Sequence, residues 1–548
     1  MNQKIFMKNF NSMKIIIFII LTQFIFAAFA ETSASSQEVN FRNSKPEKSD
    51  SLPPGVTQEW LKSLTDVSGN KIIPGDELNR TKTIDPEGDA MQQNVFNGYA
   101  SGNLFGNSVS SAGDVNGDGF DDLIVGAYQY DTAGVQTGRA YIFFGGTTIN
   151  SEPDVILKGE SFYNRFGISV SKAGDFNNDG FDDVIVGTRT FTPTGKAYIF
   201  FGGSSMDNLA DVVIENTGSS DVAFGSCVSD GGDINNDGYD DVIVGSYGNV
   251  FIYLGNSMNE NTADFILTAE NSNDAFGSSV SKAGDVNGDG YTDVVIGAPG
   301  YNSNRGKAYI YLGGVLMDNI SDLEINRSDS SYYFATSVSD AGDVNGDGYG
   351  DVIISAVTYN SSTGRSYIYF GGVVLNNIPD VTLTGENTNN FFGHSLSEAG
   401  DVNGDGYDDV IVGADGYNTN TGKAYVYFGG ISMNNNADLF MTDENTSQYY
   451  GYSVVGAGDM NGDGYDDLTV GSPFFNSNTG RVYVYTNTMT GTDISDVTLS
   501  DGSYYNYYGY SVSDAGDVNG DGYSDVIVGS PNFNSRTGRA YIYFGGVL

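Results

Sequence analysis

The chain is short of the residues on which most enzymes and disulfide-stapled domains depend. Its 548 residues hold one cysteine (Cys227), one histidine (His394) and one tryptophan (Trp60). A single thiol excludes an internal disulfide framework and any cysteine-based zinc or iron–sulfur centre, so stability has to come from packing and from bound ions. Positive charge is scarce as well: 25 Lys and Arg face 69 Asp and Glu, a formal net charge of −44. That balance excludes a general nucleic-acid surface, which needs cations to displace phosphate counterions, and it disfavours anionic membranes. Beyond the first thirty residues no stretch is apolar enough to cross a bilayer.

What is present points outward from the cell and toward β-structure. Lys4, Lys8 and Lys14 precede the apolar run "IIIFIILTQFIFAAFA", which closes on Ala28, Phe29 and Ala30. A basic start, a hydrophobic centre and a small-x-small end describe a secretory leader over residues 1–30, cut before Glu31. The mature chain is then expected to be secreted or at the cell surface, with no membrane insertion after cleavage. Residues 31–93 form a linker and N-terminal segment: 31–53 are Ser-rich and polar, a composition that stays flexible, and 54–93 contain "VTQEWLKSL", room for one short helix but no assignable role. Gly at 74, Tyr at 37 and Phe at 33 suit a turn-rich β-protein.

From residue 94 the chain repeats. The stretch "DVNGDGFDDLIVGA" opens at Asp114, and equivalent Asp residues stand at 175, 233, 285, 343, 401, 459 and 517, at intervals of 61, 58, 52, 58, 58, 58 and 58. Each unit holds three β-branched and aromatic stretches and a weaker fourth, as in "GHSLSEAG", "DDVIVGA", "KAYVYFGG" and "ADLFMTD", with Gly, Asn, Asp and Thr between them and no helical period. Four short strands at a fixed period predict an all-β fold, a β-propeller of four-stranded blades. The third unit is shorter because "GSYGNVFIYLG" drops a turn but keeps its strands. The last unit ends after its third strand, and "NVFNGYASGNLFG" from Asn94 matches "VILKGESFYNRFG" from Val155 in length and in its Gly and Phe-Gly positions. The N-terminal segment is therefore expected to supply the missing strand and close a ring of eight blades, seven being the alternative count, with the exposed edges removed.

The repeated loop begins like an EF-hand and ends differently. Side-chain oxygens at positions one, three, five and nine, with a backbone carbonyl at seven and Gly at six for the sharp turn, supply the oxygens that calcium wants. An EF-hand needs a bidentate Glu at twelve; here that place is Val or Ile, and the loop runs straight into a strand. The predicted ligands are Asp114, Asn116, Asp118, Phe120 and Asp122; Asp175, Asn177, Asp179, Phe181 and Asp183; Asp233, Asn235, Asp237, Tyr239 and Asp241; and Asp285, Asn287, Asp289, Tyr291 and Asp293. The second half gives Asp343, Asn345, Asp347, Tyr349 and Asp351; Asp401, Asn403, Asp405, Tyr407 and Asp409; Asp459, Asn461, Asp463, Tyr465 and Asp467; and Asp517, Asn519, Asp521, Tyr523 and Asp525. Asp, Asn and Gly favour turns without any ion, yet eight loops that each keep three carboxylates repel themselves unless cations are bound. Up to eight Ca2+ are expected.

These units resemble FG-GAP repeats, the blades of the propeller at the head of integrin α subunits. The FG element is Phe105-Gly106, Phe166-Gly167, Phe224-Gly225, Phe276-Gly277 and Phe392-Gly393, with Phe334-Ala335, Tyr450-Gly451 and Tyr508-Gly509 as variants; the GAP element is complete at Gly297-Ala298-Pro299. Integrin heads have seven blades, and eight copies with complete loops resemble a bacterial-type exported form. The resemblance implies a recognition or adhesion platform for a protein or glycan ligand, with structural metal loops on the face opposite the ligand surface. Loops such as "YNTNTG" and "FNSRTG" are rich in groups suited to sugar or protein contact. A passive matrix spacer and a propeller-borne hydrolase or lyase are the alternatives. Against an enzyme, His394 sits beside a repeated Phe-Gly and reads as a strand residue, and no site unique to one blade stands out.

Overall fold

The computed structural model describes residues 93–546 apart from 100, 131–136, 161–164, 190–194, 216–222, 257–260, 272, 328–332, 443–446, 487–496 and 501–504. The expected leader, the linker and the Trp60 segment lie outside the described residues.

The second strand of each unit decides the architecture. "DVIVG" and its variants put β-branched side chains on both faces of the strand, a run that is stable only where both faces are covered. Every such strand is buried along its whole length, as in Asp183–Gly187 and Asp409–Ala414. The cover comes from stacking sheets face to face. The described residues form eight four-stranded antiparallel sheets, seven of them meanders in chain order and the eighth completed by a strand from the N-terminal side. In blade one the strands are Ser108–Gly113, Asp122–Ala127, Arg139–Phe143 and Val155–Lys158. First strands neighbour one another round the ring: Ser108–Gly113 packs against Ser169–Gly174 on one side and Ser511–Gly516 on the other. They line the axis, and the fourth strands form the rim. The described residues form an eight-bladed β-propeller.

The apolar core lies between blades rather than within any one of them. Ile124 and Ile142 of blade one meet Val184, Val186, Tyr198 and Phe200 of blade two, each such side chain contributing about 1.5–3 kcal/mol by burial. The aromatic of the FG element plugs this seam. Phe166 is fully buried, meets Tyr198 edge-on at 5.2 Å and bridges to Gly138 of the preceding blade. The residue after it turns back with positive φ, 80° at Gly167; blade five places Ala335 there at 63°.

Closure follows the expected route. Gln93–Asn97 pairs antiparallel with Arg539–Tyr543, Gln93 opposite Tyr543 and Asn97 opposite Arg539. The strand begins one residue earlier than the sequence comparison placed it. It completes the sheet whose other strands are Ser511–Gly516 and Asp525–Ser530. Since every blade is a meander, the Asp-rich loops joining strands one and two share one end of the propeller with the strand three–four turns. The strand two–three loops and the inter-blade links share the other.

Candidate metal loops and the opposite face

Each Asp-rich loop is wound round its own first carboxylate. Asp114 Oδ1 accepts the N–H groups of Gly117 (2.7 Å) and Asp118 (3.0 Å), and Oδ2 that of Gly119 (2.9 Å). Gly119, at position six, has φ 89°, a conformation that a side chain rarely adopts. Asp118 Oδ1 accepts from Phe120 N at 3.1 Å. The pattern recurs at Asp285, Asp343, Asp401, Asp459 and Asp517.

The position-nine carboxylate is the buried one. Asp122 Oδ2 accepts from Val115 N at 2.9 Å and Oδ1 from Gly145 N, in the turn after strand three, at 2.7 Å. This Asp therefore ties the loop to its neighbour at the same end. Asp122, Asp183, Asp241, Asp293, Asp351, Asp409 and Asp525 are wholly inaccessible and Asp467 nearly so. Burial, with the position-one and -five charges adding, pushes their carboxyls up to about 7 or 8. Eight buried acids that burial keeps toward the protonated form, with no cationic side chain paired to them among the described residues, fit an inorganic cation that would favour their charged form. In the second loop Asn177 Oδ1 and Asp183 Oδ2, positions three and nine, are buried with no hydrogen-bond partner. The donor set of carboxylate, amide and carbonyl oxygen is the hard set that calcium takes.

The carboxylates of one loop are nonetheless turned toward backbone amides: among the described residues, no three or more Asp, Glu, His or Cys side chains are gathered closely enough to hold a metal by themselves. The Asn at position three is drawn to the other ligands, Asn235 Nδ2 donating to Asp237 Oδ2 at 2.9 Å and Asn287 Nδ2 to Asp289 Oδ2 at 2.8 Å.

The loops also touch one another, which the sequence did not announce. The side chain at position eight accepts from the first backbone N–H of the preceding blade's loop: Asp182 from Asp114, Asp240 from Asp175, Asp408 from Asp343, Asp466 from Asp401, and Asp121 from Asp517 across the closure. In the six loops with glycine at position four, the position-seven ring of the following blade lies on it; Asn178 and Asn236 hold that place in loops two and three. A Cβ added at Gly404 would run into the Tyr465 ring.

Two further acidic settings lie outside these loops. On the axial strands, Lys282 Nζ is 3.2 Å from Asp230 Oδ2 of the neighbouring blade, and Glu398, raised to about 7 by burial and then by Asp340 and Asp408, lies nearby. His394 proves to lie in the bend ahead of Leu396–Gly400, not in a strand. Its Nδ1 is 3.2 Å from Asp415 Oδ2, and that partner holds the imidazole pKa above its usual value. Both residues are peculiar to blade six, so this pair is a one-blade feature that sequence reading missed.

The opposite end is built from strained turns. In "YNSNRG" the residues Asn302, Ser303 and Asn304 have φ of 48°, 61° and 67°, a single left-handed helical turn. Asn360–Ser362, Asn418–Asn420 and Asn534–Arg536 do the same. Each such residue costs about 1–2 kcal/mol, less for Asn, and persists only where the surroundings over-determine it. Here the links do so: Phe391 N donates to Ser362 O (2.9 Å) and Gln448 N to Asn420 O (2.8 Å). A cation that opens the third strand lies under the ring heading the turn, as with Arg365 on Tyr359 at 3.8 Å and Arg539 on Phe533 at 3.5 Å. Over blades six to eight the aromatics connect: Tyr452 lies 5.2 Å from His394, 5.3 Å from Tyr510 and 6.0 Å from Phe474, which in turn lies 4.6 Å from Tyr449 and 5.0 Å from Tyr507.

Comparison with known proteins bears on the repeats. A family model described as FG-GAP repeat matches residues 105–143, 166–200, 276–311, 335–369, 392–427, 450–485 and 508–543; the third blade, with its shortened turn, falls between these matches. Integrin alpha-5 of Xenopus laevis is 35% identical over 173 residues, 29% of this chain and 16% of that protein. Integrin alpha-IIb of Mus musculus is 35% identical over 163 residues, 28% of this chain and 16% of that protein. The chain thus spans about a sixth of the length of these relatives. A solved structure, BBS1N in complex with ARL6DN, matches 70% of this chain and 92% of that chain at 9% identity and a TM-score of 0.40.

Proposed function

Because the chain is an FG-GAP repeat β-propeller with integrin-α-like repeats, we propose that it works outside the cell as a calcium-stabilised adhesion or recognition module. It takes a protein or glycan ligand on the end opposite the Asp-rich loops. The observation that carries this reading is the connected set of partly buried aromatic rings over blades six to eight, among Asn-rich turns tied to the inter-blade links. Rings of this kind give contact area at small cost in side-chain entropy, and turns already locked lose little more on binding.

Calcium has a structural part in this reading. Ions in the eight loops would change the formal charge from −44 to −44 + 16 = −28 and compensate the buried position-nine carboxylates. A binding screen against glycans and extracellular matrix proteins, run with calcium and with chelator, tests the proposal. Specific, saturable binding that survives only with folded blades supports it. No binding across a broad panel leaves a calcium-stabilised spacer as the better account.

A further inference from the structure

The arginines of blade eight are set differently from the lysines that open the third strand in blades two, four and six. Where a lysine opens the third strand, carboxylates meet it: Lys196 lies 3.2 Å from Glu160 and 2.7 Å from Glu215, and Lys307 lies 2.7 Å from Glu324 and pairs with Glu270 as well. Glu160 and Glu270 stand six residues ahead of the repeated aromatic-Gly pair. In blade eight that place is Gly502, and the residue opposite Arg539 on the closing strand is Asn97. Arg539 donates to Asn97 Oδ1 (2.7 Å) and Tyr541 OH (3.4 Å), and Arg536 to Gln129 Oε1 (2.8 Å), all neutral acceptors. Among the described residues neither guanidinium pairs with a carboxylate.

Both line a cleft of about 650 Å³ with Tyr505, Asn532, Phe533 and Asn534, a volume in the small-ligand range. Tyr505 is 66% exposed. We infer that this cleft, between the strand two–three turn of blade eight and the link that leads into that blade, binds a carboxylate-bearing saccharide such as a uronate, with Arg536 and Arg539 on the carboxylate, the Asn532 and Asn534 amides on hydroxyls, and the Tyr505 ring against the sugar's apolar face. Guanidinium groups have the fork geometry for carboxylate. A local site suits one or two carboxylates better than a densely charged polymer: the rest of this −44 chain repels a polyanion, whereas a single charge feels little beyond the Debye length of ~8 Å. The cleft has only two rings and no aliphatic lining to hold a peptide's apolar anchor. The inference rests on the recognition reading and narrows it to one site.

Titration calorimetry of the full chain in calcium tests it, with D-glucuronate, D-glucose and a doubly blocked Asp-Gly peptide as probes. Glucuronate should bind, glucose should bind about tenfold more weakly or worse, and Arg536→Gln should weaken glucuronate by a similar factor. Arg536→Lys should restore part of the loss. Arg536 is chosen because Arg539 also braces the closing strand; circular dichroism checks that each variant is folded. Equal affinity for glucose and glucuronate, no effect of Arg536→Gln, or binding of the Asp peptide in place of the uronate overturns the assignment. A ligand from the wider screen whose binding ignores Arg536→Gln and Tyr505→Ala overturns this site and leaves the recognition reading standing; no ligand at all removes both.

Discussion

Phe96 is the residue on which closure of the ring can be measured. It belongs to the one strand contributed by the far end of the chain, is fully buried, and lies 4.1 Å from the Phe143 ring of blade one. Its cluster includes Phe105, Leu123, Tyr141, Ile527 and Ile542, so a single side chain fastens blade eight to both its own sheet and the next. Replacement by Ala removes the transfer free energy of a buried ring and leaves a cavity walled by rigid strands, about 3–5 kcal/mol. Phe440, on the fourth strand of blade six, is 46% exposed, and Phe440→Ala should cost less than about 1 kcal/mol. Urea denaturation of the full chain, followed by fluorescence and by limited proteolysis, should show Phe96→Ala shifted far to lower denaturant and cleaved first near the closing blade. If Phe96→Ala and Phe440→Ala unfold at the same denaturant concentration, the N-terminal strand is not what holds the ring shut.

Three further outcomes are expected. Removal of residues 31–92 should leave the melting temperature nearly unchanged, whereas removal of 31–98 should lower it sharply; equal melting of the two truncations in calorimetry contradicts the closing role. Calcium should raise the melting temperature with up to eight ions taken up at Kd of roughly 10⁻⁴–10⁻³ M, each adding about 1.4 kcal/mol at tenfold excess over Kd, and Asp405→Ala should remove one ion's share; saturation at one or two ions in calorimetry contradicts the eight-loop assignment. Glu398 is protonated more readily when folded (about 7) than when unfolded (4.5), so its contribution is complete below pH 4.5 and fades, by about 3 kcal/mol, as pH rises to 7; Glu398→Gln should flatten that part of the stability–pH curve, and an unchanged curve rejects the burial argument.

Much of this molecule could be read from one repeat. Asp-Gly spacing marked every loop, the "DVIVG" runs marked the buried second strands, and the match of Asn94 to Val155 located the closing strand to within a residue. These signals are local: each depends on residues a few places apart whose geometry the backbone dictates. What stayed hidden depends on neighbours in space. Asp182 and Asp466 carry no signal of their own in the sequence, and only ring closure brings each to the preceding loop. His394 and Asp415 are twenty-one residues apart, and nothing in either segment declares the pairing. The left-handed turns ran against propensity, since three successive non-glycine residues with positive φ form only when adjoining links accept the strain.

The loop-to-loop bonds have a mechanical consequence. A wheel held by identical spokes has no preferred place to fail, but here position eight is Thr292, Gly350 and Ser524 in blades four, five and eight, and the carboxylate clasp is missing there. Two of those joints keep a backbone tie, Gly350 N to Asp285 O at 2.9 Å and Ser524 N to Asp459 O at 3.1 Å. The joint between blades three and four lacks both the clasp and that position-eight tie among the described residues, and keeps Gly314 N to Ile234 O at 2.7 Å, a bond most joints share, with Asn236 Nδ2 to Gly290 O at 3.4 Å. The clasped blades form two arcs, eight-one-two-three and five-six-seven, with blade four between them. Pulled or warmed, such a rim parts first beside blade four, on the far side from the meeting of the chain's ends, which Asp121 clasps. The propeller is therefore a jointed band whose seam is reinforced and whose weakest link lies across the wheel from it.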